Sequence, residues 1–250
     1  MELKNPIAAG NTAALYVDGD RIVKLFNEGL PAGEAKREAE KQNFAYACGL
    51  NVPKVFEVTQ IGGRQAISME YIAGKTIGAL MQEAQENEAA LLALSVELQI
   101  EMHQKTVEKD ALPPMREKLA LQIQQATSLT EAWREALLTR LFELPAQQNL
   151  CHGDFHVYNL ISTTERTTII DWVDASAGTP CADACRTYLL YAGKSQEVAE
   201  AYLELYCGKS GAKREDVLMW LPIIAGARLS ENLPDKEKAR LLDIVEETAF

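Results

Sequence analysis

Residues 150–174, LCHGDFHVYNLISTTERTTIIDWVD, decide how the rest of the chain reads. A short apolar entry leads into a polar loop, His152-Gly153-Asp154-Phe155-His156-Val157-Tyr158-Asn159. The pattern predicts a brief strand over Leu160–Ser162, a turn through Thr163–Arg166 and a second strand over Thr167–Ile170, ending at Asp171. A carboxylate (Asp154), an amide five residues on (Asn159) and a second carboxylate twelve further (Asp171) are thereby delivered to one end of a small hairpin.

Phosphoryl transfer needs that layout: one Asp to accept the proton of a substrate hydroxyl, and an Asn and a second Asp to hold Mg²⁺ on the phosphates. Two other readings compete. Gly, Asp and Asn favour turns for backbone reasons alone, so a plain hairpin loop has the same composition. Gly-Asp-x-His also suits a two-metal hydrolase. That site needs further His ligands, and the chain has only His103, His152 and His156. The H-x-D-x-x-x-x-N spacing followed by a strand-borne Asp supplies the structural context that a motif requires.

At 250 residues the chain can form one large domain or two lobes with ample core. Its net charge of −11 argues against nucleic acid, whose recognition needs basic patches. The acidic balance is compatible with a cationic substrate, although it more often serves solubility. The N-terminus has no basic region followed by an apolar run, and no apolar stretch approaches the length of a membrane span. Five cysteines, odd in number and without CxxC spacing, are expected to be reduced thiols of a cytoplasmic protein.

Ahead of the decisive stretch, Ala13–Val17 and Arg21–Phe26 flank Asp18-Gly19-Asp20, a hairpin signal. The preceding small polar residues, among them Gly10, Asn11 and Thr12, are candidates to lay backbone N–H groups over phosphates. Lys24, inside a strand, is the candidate for contact with the α- and β-phosphates. Gly33–Cys48 predicts a helix that offers Glu34, Glu38 and Glu40 as partners for that lysine. Glu40 lies about 200° round the helix from Glu38, so both cannot face it. Glu38 shares a face with Ala45 and is the choice, with Glu34 and Glu40 as alternatives. Strands over Lys54–Gln60 and Gln65–Tyr71 complete a small antiparallel sheet. Glu70 and Ile72, at its end, are placed to meet a nucleotide base, and Ala73-Gly74 is read as opening the helical region. Gly74-Lys75-Thr76 resembles the end of a P-loop, but the glycine that motif requires at position 69 is Met.

From Ile77 to Pro145 the pattern is helical with a break at Pro113-Pro114, and Leu91, Leu94, Leu98 and Met102 form an apolar stripe. Leu119, Leu121 and Ile123 begin another apolar segment. His103 reads as a structural histidine. Further helices are predicted over Cys181–Ala192, Val198–Tyr206, Glu215–Ala227 and Asp235–Glu247. Asp183 is placed to cap the first of these or to brace the loop. Arg228 and Glu231 are candidates to reach a substrate.

With Lys24, Glu38, Met69–Ile72, His152–Asn159 and Asp171–Asp174 in place, the chain resembles the aminoglycoside phosphotransferase / choline kinase family over nearly its whole length. HGDFHVYNL and IIDWVDAS carry most of the likeness, with GLNVPKV and SMEYIAG in support. The resemblance implies an α+β, two-lobed protein-kinase-like fold: a sheet-and-one-helix lobe over residues 1–72 and a mainly helical lobe over 73–250. It implies transfer of the ATP γ-phosphoryl group to a hydroxyl of a small molecule, with ATP and Mg²⁺ as cofactors. Asp154 then resembles the catalytic base, and Asn159 and Asp171 the metal ligands. Lys24 resembles the phosphate lysine, Glu38 its partner and His152 a loop-bracing histidine, while His156 falls near the γ-phosphate. Trp172 departs from the Phe-Gly of protein kinases, and the phosphate loop has only Gly10. The alternative is a nucleotide-binding module without turnover.

Overall fold

The structure, a computed structural model, describes residues 5–10, 12–83 and 87–248. The chain divides into two compact units, Met1–Gln85 with Val157–Asp174, and Glu86–His156 with Ala175–Phe250. Neither unit is one continuous stretch, unlike the expected split at residue 72. The reason is strand pairing: Lys75–Thr76 pairs antiparallel with Leu160–Ser162, which pairs in turn with Thr167–Ile169. Among the described residues no helix is long and apolar enough to cross a membrane.

The first unit is built on a five-stranded antiparallel sheet of order β1-β2-β3-β5-β4. Its strands are β1 (Ala8–Ala9), β2 (Ala13–Asp18), β3 (Arg21–Phe26), β4 (Val55–Ile61) and β5 (Arg64–Glu70). One helix, α1 (Glu34–Ala47), lies on it. Alternation along β3 sets the two faces. Ile22 and Phe26 join Ala35 and Ala39 of α1 in one cluster, whereas Val23 and Leu25 pack with Ala66 on the other. Alanines on the buried side of α1 let its backbone come close to the sheet. Lys75–Thr76, expected to be helical, forms the short strand β6, and helix α2 (Ile77–Glu83) starts only after it. Gly74 explains the strand. A Cβ there would lie 2.3 Å from the Ser162 carbonyl oxygen, so only glycine allows this approach of two backbones.

The second unit is helical: α3 (Glu88–His103), α4 (Met115–Gln125), α5 (Glu131–Glu143), α6 (Pro180–Ala192), α7 (Gln196–Ser210), α8 (Arg214–Leu218), α9 (Leu221–Arg228) and α10 (Asp235–Thr248). The strand Asn149–Cys151 pairs antiparallel with Ser176–Gly178. Side-chain caps start two of the helices, Thr130 accepting from the Trp133 N–H and Ser195 from the Val198 N–H. Three sequence expectations are corrected here. The single helix over Glu215–Ala227 is two helices, because Pro222 has no N–H to donate and its ring crowds the carbonyl four residues back. Of the apolar stripe on α3 only Met102 is buried; the buried face is Leu92, Ser95, Val96, Gln99, Met102 and His103, half of it polar. Leu121 is exposed, while Leu119 and Ile123, one turn apart, are buried.

Candidate active site

In the first unit, strand alternation decides where Lys24 goes. It shares the parity of Ile22 and Phe26, so its side chain rises on the α1 face. There Nζ donates to Glu38 Oε1 at 2.6 Å and to Asp171 Oδ1 at 3.3 Å. Glu38 is 2% exposed, a depth that a carboxylate tolerates only when paired. The other two glutamates are engaged elsewhere: Glu34 pairs with Arg37 at 2.5 Å and Glu40 lies 3.8 Å from Lys36. Burial works against the Lys24 ammonium, but the Glu38 and Asp171 carboxylates outweigh it and its pKa lies above the ordinary value. Burial pushes the Glu38 carboxyl up, against the pull of Lys24.

Asp171 is presented by an unusual backbone. Its φ of 65° is left-handed, a region that Asp tolerates better than most residues but still at a cost. What precedes and follows it is fixed. The Ile170 N–H donates to the Asn159 carbonyl at 2.9 Å, which sets Asn159 and Asp171 side by side. The buried Trp172 indole donates to the Ile169 carbonyl at 3.1 Å, and Lys41 of α1 reaches the Val173 carbonyl at 2.5 Å. A Phe-Gly pair would supply no such indole anchor.

Lys24, Glu38, Asn159 and Asp171 line one cavity of about 510 Å³, together with Gly10 and Thr12. Ile22, Met69 and Ile161 give it apolar walls, and Glu70 and Ile72 border it. The size and mix suit a small ligand with an apolar ring and a polar tail. The Glu70 side chain itself turns to Arg166, at 2.5 Å, and to the Lys54 N–H, at 3.3 Å. The Gly10 N–H closes a tight turn onto the Ala13 carbonyl at 2.9 Å. Asn11 lies outside the described residues.

Asp154 and His156 belong to the second unit. The loop that carries them is held from α6 by one buried carboxylate. Asp183 accepts from the Gly153 N–H at 2.7 Å and the His152 N–H at 3.4 Å. It also meets His103 Nε2 at 2.9 Å and accepts from Gln99 Nε2 at 3.3 Å. Gly153 has φ 81°, so a side chain there would strain the turn that aims its N–H at Asp183. Burial pushes the Asp183 carboxyl up, but the His103 and Gly153 bonds outweigh it and hold it below the ordinary range. His152 is fully buried and its Nδ1 accepts from the Asp154 N–H at 3.3 Å. The Asp154 carboxylate meets His156 Nε2 at 3.5 Å through Oδ2 and Arg186 Nη2 at 3.2 Å through Oδ1. Burial would raise its pKa, yet His156 and Arg186 together hold the carboxyl well below its usual value.

Arg186 is the residue that sequence reasoning missed. The available signal was its place one turn after Asp183 on α6, and the structure brings it to Asp154 and Glu231 together. Glu231 and Arg228, singled out from the sequence, do pair with each other, at 3.3 Å. None of the five cysteines forms a disulfide, and burial pushes the thiols of Cys151, Cys181, Cys185 and Cys207 up, that of Cys181 to about 11, so these four are protonated at neutral pH. Cys151 lies with His103 and Asp183 in one buried group, but both His103 nitrogens are already engaged, by Tyr206 and Asp183. That group is a hydrogen-bonded core.

A five-stranded sheet with one helix and a buried Lys–Glu pair, a mainly helical second unit, and an H-x-D-x-x-x-x-N loop before a strand-borne Asp define the class of protein-kinase-like phosphotransferases. The model of one such family, the phosphotransferase enzyme family APH, matches residues 5–219, and the chain belongs to it. Solved structures agree on the fold. A thermostable variant of aminoglycoside phosphotransferase APH(4)-Ia, in ternary complex with AMP-PNP and hygromycin B, is 14% identical with a TM-score of 0.71, covering 98% of this chain and 92% of that one. ADP-bound APH(2'')-Ib is 19% identical with a TM-score of 0.65, covering 100% and 93%. Choline kinase LicA from Streptococcus pneumoniae is 17% identical with a TM-score of 0.67, covering 99% and 94%. No curated sequence matches the chain.

Proposed function

We propose that this protein transfers the γ-phosphoryl group of ATP to a hydroxyl of a small molecule, with Asp154 as base. The observation that carries the reading is the pairing of Lys24 with both Glu38 and Asp171 on the wall of one cavity. Similar structures were solved with AMP-PNP or ADP bound. In this reading Lys24, fixed by Glu38, contacts the α- and β-phosphates, with Gly10 and Thr12 beside them and Ile72 at the base. His156 steadies the Asp154 carboxylate. The donor set at the cavity's end, an Asp carboxylate and an Asn carboxamide, is all oxygen and fits Mg²⁺. Asn159 and Asp171 would hold that ion, whose contribution when bound is to neutralise phosphate charge. Asp154 orients the acceptor hydroxyl and takes its proton as the bond to phosphorus forms. The acceptor class is that of the family: an aminoglycoside, choline or ethanolamine, a sugar or an amino acid.

The test is ADP release from Mg-ATP with each of these acceptors and with water alone. Release that depends on one acceptor names the substrate class. A protein that releases no ADP under any condition, water included, overturns the reading.

Two variants probe the nucleotide side. Glu38→Ala leaves Lys24 with Asp171 alone, and KM for Mg-ATP is expected to rise about ten- to a hundredfold, the worth of one charge-assisted bond. Titration of the variant with Mg-ATP checks it, and an unchanged KM removes Glu38 from the site. Asp171→Gly separates stability from function. Glycine accepts φ 65° freely, so the melting temperature should match or exceed wild type, the relief being about 1 kcal/mol. Mg²⁺-dependent nucleotide binding should be lost, and calorimetry with and without Mg²⁺ reads it.

A further inference from the structure

Asp154 ends a ladder of alternating charges that runs through the second unit. Arg240 of α10 pairs with Glu237 at 2.8 Å, and Glu237 with Arg228 at 2.9 Å. Arg228 Nε then donates to Glu231 Oε2 at 3.3 Å, and Arg186 Nη1 donates to Glu231 Oε1 at 2.7 Å. The opposite arm of the same guanidinium, Nη2, donates to Asp154 Oδ1 at 3.2 Å. One residue on, Thr187 Oγ1 donates to the Phe155 carbonyl at 2.9 Å, so two successive side chains of α6 grip the loop at Asp154 and at the residue after it.

A guanidinium is planar and forked, so binding Glu231 through one arm fixes the direction of the other. The Arg186 side chain is only 13% exposed, and its burial is tolerated because carboxylates match it. The charged groups around Asp154 are Arg186 from α6, His156 and His152 from its own loop, Asp183 beneath the loop backbone, and Glu231 behind Arg186. Only Arg186 is a permanent cation among them. Its guanidinium is positioned by a carboxylate on a different element, Glu231 in the turn that follows α9.

We propose that Arg186 is a positioning residue for phosphoryl transfer: its guanidinium, aimed by Glu231, fixes the Asp154 carboxylate in the orientation the reaction needs and holds it as the anion. This rests on the reading of Asp154 as base. A proton acceptor that must also orient a hydroxyl gains from being locked in one rotamer, since a displacement of about 1 Å is enough to cost about a hundredfold in rate.

The experiment measures ADP release from Mg-ATP, with water alone as the probe acceptor, in the full-length wild type and in Arg186→Gln, Arg186→Lys, Glu231→Gln and Asp154→Asn, each across pH 3–9. Arg186→Gln is expected to lose about ten- to a hundredfold in kcat at unchanged KM for Mg-ATP. The acid limb of its kcat profile should lie at higher pH than in wild type, because the carboxylate has lost the cation that favours its ionised form. Arg186→Lys keeps the charge and, should the glutamine variant fail to fold, carries the test. Its acid limb should stay near the wild-type position while kcat still falls, since an ammonium cannot fork between two carboxylates. Glu231→Gln should fall between wild type and Arg186→Gln. An active Asp154→Asn overturns the reading of the base itself. An inactive Asp154→Asn, with both Arg186 variants at wild-type kcat, overturns the role of Arg186 alone, as does a fall in kcat matched by a rise in KM for Mg-ATP.

Discussion

Asp154→Ala is expected to lower turnover by about 10²- to 10⁴-fold, the usual worth of a positioned base. It should leave Mg-ATP affinity close to wild type. The two effects separate because Lys24, Glu38, Asn159 and Asp171 belong to the first unit and Asp154 to the second. The variant removes a carboxylate that is only partly exposed and meets two cationic or protonatable groups, so Arg186 keeps Glu231 while His156 loses its carboxylate. Steady-state kinetics on the acceptor found in the panel, alongside calorimetry with Mg-ATP, checks both halves. Full activity in the variant would remove the base from the mechanism. Equal losses in turnover and nucleotide affinity would mean the substitution had damaged the fold.

Asp183→Ala carries the largest expected cost in stability, about 3–5 kcal/mol, or a fall in melting temperature on the order of 10 °C. The reason is the number of partners stranded in a dry interior. His103, Gln99 and the N–H groups of His152 and Gly153 all lose an acceptor, and each buried unsatisfied group costs about 1–3 kcal/mol. Because the folded Asp183 pKa lies below its unfolded value, the carboxylate contributes stability above the unfolded value, about 4, and loses it as the pH falls towards the folded one. The gap between wild type and Asp183→Asn should therefore narrow on acidification through that range. Thermal melts between pH 3 and 7 read the trend, and a gap that widened on acidification would refute it.

What the sequence disclosed and what it withheld follow from the range of the interactions involved. The loop and its hairpin were legible because five- and twelve-residue spacings are local. Glu38 was legible because helix geometry separates it from Glu40 by more than half a turn. The buried face of α3 was not. Ser95 goes inside by turning back to the Leu92 carbonyl, and Gln99 only because partners 84 or more positions away, Asp183, Thr187 and Tyr202, satisfy it in the interior. Arg186 was hidden for the same reason: a lone arginine on a helix is most often solvated, and its partners sit 32 and 45 positions away. Pro222 was different. Its signal is local and stands in the sequence itself.

With Lys24 in the role proposed for it, the parity of β3 makes catalytic competence a proofreading signal for folding. Shifting that strand by one residue against β2 and β5 would exchange its two faces, turning Val23 towards Glu38 and sending the ammonium to the opposite side. Such a chain could keep much of its secondary structure and still leave a bare carboxylate among alanines and aromatics. The specific activity of a preparation therefore counts correctly threaded molecules, a quantity that circular dichroism and gel filtration would both overestimate.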